Sequence, residues 1–209
     1  MRELAFEGPR VRRAQIEYRD TSPASGPGPA GWALSRKAFL LEDIEVVAER
    51  LGGRALSDQE AADLNDAGFE EELVVALQLL HALLGNWDYT LSPDGTEIWN
   101  TDVIAFPDGR YLPVAGDFDL ASWVTAVVRA SAPWDYHPQL GEVEREARWR
   151  VEELRRSARP DVFAAASERF WSRRGALEGR VATAETDESG RANALRHVAS
   201  FYDALGNTE

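Results

Sequence analysis

Four oxygen-bearing side chains could together hold a divalent cation: Asp88, Asn100, Asp117 and Asp119. Asp88 follows "HALLGNW", where an apolar run stops at Gly85. Asn100 interrupts "TEIWNTDVIAF", a strand-like stretch in which asparagine is an uncommon residue. Asp117 and Asp119 flank Phe118 just after "YLPVAG", and an acidic residue that ends an apolar strand needs a partner. Carboxylate and amide oxygens are the donors that Mg2+ and Mn2+ prefer, with phosphate oxygens and waters completing the shell. The chemistry within reach is metal-assisted binding of a phosphate compound. Each residue also has an ordinary role open to it: Asp88 in a turn, Asn100 at a bulge, Asp119 at the start of a helix.

Composition narrows the alternatives. The chain of 209 residues has no cysteine, so thiolate metal sites, cysteine nucleophiles and disulfides are absent. His81, His137 and His197 are far apart and share no ligand-like spacing. A net charge of −13 argues against a nucleic-acid backbone as the main partner. An acidic protein that binds phosphate must neutralise it locally, and cations held on carboxylates do so. Lys37 is the only lysine among 23 basic residues, which makes it the one amine available to contact a nucleotide phosphate. Its place in an alternating stretch suits a solvent-exposed side chain equally well. No run of about eighteen apolar residues suggests a membrane span, and "MRELAFEGPRVRRAQ" lacks the apolar centre of a secretory signal. The expected location is the cytoplasm, with no membrane partner.

Several elements must position these residues. Residues 11 to 19 and "WALSRKAFLLED" read as two antiparallel strands, joined by the proline- and glycine-rich "DTSPASGPGPAG". "EDIEVVAERLGG" reads as a helix that stops at Gly52-Gly53, with Glu42 and Asp43 at its start. Ser57 and Glu60 stand at capping-box spacing. Residues 70 to 84 are apolar nearly all round, the mark of a helix buried in the middle of a domain. His81 on that helix reads as a hydrogen-bonded core residue rather than a catalyst. "TEIWNTDVIAF", "PDGR" and "YLPVAGDFD" read as strand, tight turn and strand. A turn centred on Asp108-Gly109 sets Asn100 opposite about residue 117. Beyond Asp119 the pattern is mostly helical: "GEVEREARWRVEELRRSA", "DVFAAASERFWSRRGALEGRVATA" and "RANALRHVASFYDALG". Tryptophans 87, 99, 123 and 134 read as packing residues. Strands never alternate with helices in βαβ order, so the fold class is α+β.

This order of elements resembles the catalytic core of protein-kinase-like folds. "GNWDYT…WN…PVAGDFD" is most similar to atypical bacterial kinases of the spore-coat CotH type, and more loosely to HipA-like kinases. The resemblance spans about residues 36 to 125. It implies that Asp88 is the catalytic-loop aspartate that orients the acceptor hydroxyl. It further implies that Asn100, Asp117 and, as a second acidic ligand, Asp119 hold the metal of Mg-ATP. Residues 1–42 would then be a partial β N-lobe and hinge, and 43–209 the helical C-lobe. The chain departs from the pattern in three places. Asp119 stands where such kinases have glycine, the interval from Asp88 to Asn100 is long, and most of the nucleotide-gripping N-lobe has no counterpart. The expected activity is transfer of the γ-phosphoryl group of ATP to a hydroxyl acceptor. The alternative is a pseudokinase or nucleotide-binding interaction module without turnover, with a partner chain completing the N-lobe.

Overall fold

Strand β1 (Val11–Arg19) runs antiparallel to β2 (Ala33–Leu41), from Val11 opposite Leu41 to Arg19 opposite Ala33. The computed structural model describes residues 4, 6–19, 33–64, 69–86, 89–92, 97–116, 118, 140–184 and 188–206, so the 20–31 connection lies outside the described residues. Alternation places Ala14, Ile16, Tyr18, Leu34, Ala38 and Leu40 on one face of this hairpin, with Arg12 and Arg36. No residue of either strand is buried.

The chain leaves the hairpin into α1 (Ile44–Leu51). The Asp43 carboxylate accepts the Glu45 N–H at 3.1 Å, and Glu42 is held by Arg50 and the Arg10 N–H. Asp43 thus caps the helix as its position predicts, whereas Glu42 does not cap it and instead pairs with Arg50 in the last turn of α1. Gly52, with φ of 79°, ends it in a left-handed cap. At Gly53 a Cβ would stand 2.5 Å from Ile104 Cγ2, so only glycine lets the backbone pass. The next residues form β3 (Arg54–Ala55), and Ser57 and Glu60 close a reciprocal capping box on α2 (Asp58–Ala62).

Helix α3 (Glu71–Leu84) is the centre of the molecule. Nine of its fourteen residues are buried and none is exposed, so it needs neighbours on every side. Around it lie α4 (Leu140–Ser157), α5 (Pro160–Trp171) and α7 (Glu188–Gly206), while α6 (Arg174–Ala182) packs on α7. Leu77, Leu80 and Leu83 share one core with Val151, Phe163, Phe170, Val198 and Phe201. Burying each such leucine is worth about 1.5–3 kcal/mol. Two polar side chains inside this core reach backbone carbonyls. His197 Nε2 donates to the Leu83 carbonyl at 2.8 Å, and the Tyr202 hydroxyl donates to Phe170 O at 3.0 Å. Arg155 Nη2 donates to the Leu205 carbonyl at 3.1 Å and caps the end of α7.

The remaining strands are short: β4 (Thr90–Leu91), β5 (Ile98–Trp99), β6 (Thr101–Ala105) and β7 (Tyr111–Ala115). Strands β3, β6 and β7 make one antiparallel sheet whose Ile104 and Val114 pack on Val47 and Ala48 of α1. The described residues are therefore α+β with seven helices, without βαβ units.

Two expectations need correction. The 161–184 stretch is two helices rather than one, because the chain breaks at Ser172-Arg173 and turns. Trp99 is 62% exposed on the two-residue strand β5 rather than packed, since among the described residues that strand pairs only with β4. Tryptophans 87, 123 and 134 lie outside the described residues. Among the described residues, no helix is long and apolar enough to cross a membrane.

Candidate functional site

Two short ladders meet at Asn100. On one side β4 pairs with β5, Thr90 opposite Trp99. On the other β6 pairs with β7, Thr101 opposite Ala115. Asn100 joins them and is the one non-glycine residue with positive φ among the described residues, at 51°. A side-chain amide tolerates the left-handed region better than most groups do. The bend lets one continuous chain serve two ladders. The unusual asparagine in a strand-like stretch is thus a junction residue, and three segments converge on it.

The register differs by one residue from that expected. A two-residue turn at Asp108-Gly109 would set Asn100 opposite residue 117. Instead Pro107, Asp108 and Gly109 form a three-residue loop: the Gly109 N–H donates to Phe106 O and the Phe106 N–H to Arg110 O. Gly109 takes φ of 86°, the left-handed position that such loops require. Continued past Thr101, the ladder sets Asn100 across from Gly116.

His81 ties two of the converging segments together. Gly85 ends α3 in a left-handed cap, and the Asn86 N–H folds back to His81 O at 2.9 Å. The fully buried Asn86 side chain then donates its Nδ2–H to His81 Nδ1 at 3.1 Å. An amide nitrogen can only donate, so Nδ1 is the acceptor and the ring's proton sits on Nε2. Tyr89 stacks on the His81 ring at 3.5 Å between centroids and 12° between planes. Phe118 stacks at 5.5 Å and 26°. The loop after α3 and the segment after β7 therefore contact one imidazole. Burial, aided by the Arg150 charge, pushes the His81 pKa down to about 3. A ring that stays neutral at physiological pH is a poor base, so its part here is to hold the two segments.

Asp88, Asp117 and Asp119 lie outside the described residues, as does Trp87. Their described neighbours Asn86, Tyr89, Gly116 and Phe118 are the residues that the junction and the His81 stack gather. Lys37 is exposed on β2 opposite Gln15, in the separate two-stranded sheet. Among the described residues no group of three or more His, Asp or Glu is placed to hold a metal ion.

The structure adds residues that sequence patterning had not singled out. Asp102 on β6 is half-buried, and a Cβ on Gly116 would stand 2.9 Å from its Oδ2. Glycine at 116 lets the chain pass that carboxylate immediately before Asp117. Burial raises the Asp102 pKa, and the nearby Asp58 and Asp43 raise it further. Beside Tyr89 lies a cleft of about 390 Å³, lined by Gln78, Leu91, Trp149, Arg150 and Glu153. The Arg150 guanidinium sits 5.6 Å over the Tyr89 ring, and burial pushes the Tyr89 phenol up to about 12. Arg150 and Arg155 of the arginine-rich α4 make inward contacts, to the Tyr89 ring and to the Leu205 carbonyl. On its outer side Glu153 pairs with Arg156 at 3.0 Å.

No family model matches this chain, and no curated protein or solved structure does either.

Proposed function

We propose that the Asn100 junction is the metal–nucleotide centre of a kinase-like phosphotransferase. It would move the γ-phosphoryl group of Mg-ATP to a hydroxyl acceptor. In this reading Asp88 orients the acceptor hydroxyl, while Asn100, Asp117 and Asp119 hold Mg2+ or Mn2+ against the nucleotide phosphates. The metal would neutralise phosphate charge in a protein of net charge −13. Phosphoryl transfer asks the protein mainly for positioning and electrostatics. One observation carries the proposal: the β4–β5 and β6–β7 ladders meet at Asn100 while Tyr89 and Phe118 share the His81 ring. This supports the reading because Tyr89, Gly116 and Phe118, which adjoin three of the proposed ligands in sequence, belong to that junction and stack. The cleft beside Tyr89 is of a size suited to a small ligand or one side chain of an acceptor.

Replacing Asp117 by Ala is expected to abolish magnesium-dependent ATP binding, read by calorimetry with and without the metal. Undiminished binding would reject the assignment.

A second reading, a pseudokinase or interaction module that binds nucleotide without turnover, draws on the N-terminal part. Before α1 the described strands number only two, and Lys37 stands exposed on one of them. A partner chain completing the lobe belongs to this reading. Magnesium–ATP binding with no phosphate release or transfer, across protein, sugar and small-alcohol acceptors, is its expected signature.

A further inference from the structure

The β1–β2 hairpin differs from the rest of the molecule in charge and in burial. Its two strands carry Arg12, Arg13, Arg19, Arg36 and Lys37 against Glu17 alone, a net +4 that leaves −17 on the remainder of a −13 chain. All eighteen strand residues are exposed or half-buried, and each strand has only the other as ladder partner among the described residues. A lone two-stranded ribbon is marginal in water without a layer on one face. Here one face is apolar, with Ala14, Ile16, Tyr18, Leu34, Ala38 and Leu40, and Leu40 is 55% exposed. Arg12 and Arg36 are the only charges on that face.

A complementary surface exists on the same chain. Asp43 and Glu45 stand exposed at the start of α1, and Asp58 stands exposed at the start of α2, which packs on β6 where Asp102 lies. Val46, beside Glu45, is 50% exposed. An acidic surface with an exposed apolar residue matches a basic ribbon with an apolar face. We infer that two copies of this chain dock reciprocally, the apolar face of each β1–β2 hairpin lying against the acidic α1–α2 surface of the other copy. This does not depend on the phosphotransfer reading.

The sizes agree with a weak, real dimer. Nine residues of strand span about 30 Å and two strands about 10 Å, so one contact covers about 300 Å² on each partner. Two reciprocal contacts bury about 1,200 Å² in all, the lower edge of stable interfaces. Exposed charge pairs are screened by salt, so the association should weaken as ionic strength rises.

Sedimentation equilibrium of the full chain tests this at 50 mM and 1 M NaCl. The expected result is a dimer at low salt that dissociates at high salt. The variants Arg12→Glu/Arg36→Glu and Glu45→Lys/Asp58→Lys should each be monomeric, with unchanged far-ultraviolet circular dichroism. Mixed together they should restore the dimer, because both contacts then pair opposite charges. A monomer at low salt overturns the proposal, whether hydrogen exchange finds the hairpin amides protected by the chain's own residues or open to some other partner. A dimer that survives 1 M salt or either charge reversal also overturns it, as does a mixture that stays monomeric.

Discussion

Between pH 6.5 and about 3 the His81 ring is protonated in the unfolded chain and neutral in the folded one. The unfolded state then binds the extra proton, so stability falls as pH drops through this window, by about 1.4 kcal/mol per unit. Urea melts at pH 6.5 and 5 should differ by about 2 kcal/mol from this residue alone. His81→Leu removes that acid sensitivity, but it also takes the acceptor from the buried Asn86 amide. At pH 7 the variant should lose about 1–3 kcal/mol, and the deficit should shrink on acidification. Equal pH slopes in the two proteins would show that the ring does not titrate in this way. Asp102 carries the opposite sign. Its raised pKa means the folded state disfavours the ionised carboxyl, so Asp102→Asn should raise Tm at pH 7. That gain should vanish once the pH falls below the ordinary aspartate value of 3.8. The role of His81 as a satisfied core residue was legible from its place on an apolar helix. Its partners Asn86, Tyr89 and Phe118 were not, because contacts across a chain reversal leave no periodic trace.

At the scale of elements, local chemistry predicts boundaries well where a cap is made by neighbours in sequence. Asp43 before α1, Ser57 with Glu60 at α2, and glycines 52 and 85 at two helix ends all act within one turn. Pairing register is harder, because one residue more or less in a turn moves every partner. The β6–β7 loop depends on Gly109 in the left-handed region. Gly109→Ala should therefore cost about 1–2 kcal/mol, measured by urea denaturation at pH 7. A loss indistinguishable from zero would mean the loop can adopt another turn. Strands β3 and β4, two residues each, escaped sequence reading for a related reason. β3 exists only because the distant β6 pairs with it, and β4 only because the chain folds back to pair it with β5.

The whole molecule is organised around α3, and its central burial makes a strong expectation. Leu80 is 1% exposed within the largest core, so Leu80→Ala should destabilise the protein by about 2–5 kcal/mol. A loss under 1 kcal/mol by chemical denaturation would contradict the placement of α3 among α4, α5 and α7. Composition and periodicity alone determined the α+β class, the buried helix and the antiparallel β1–β2 pair. These depend on how apolar residues repeat along a chain, and on caps made within a few residues. Only the tertiary structure decided that Asn100 is a bend between two ladders, that the hairpin register shifts by one, and that His81 gathers two distant segments. Those outcomes depend on which surfaces meet in space, and the free energy of that meeting belongs to residues far apart in the sequence.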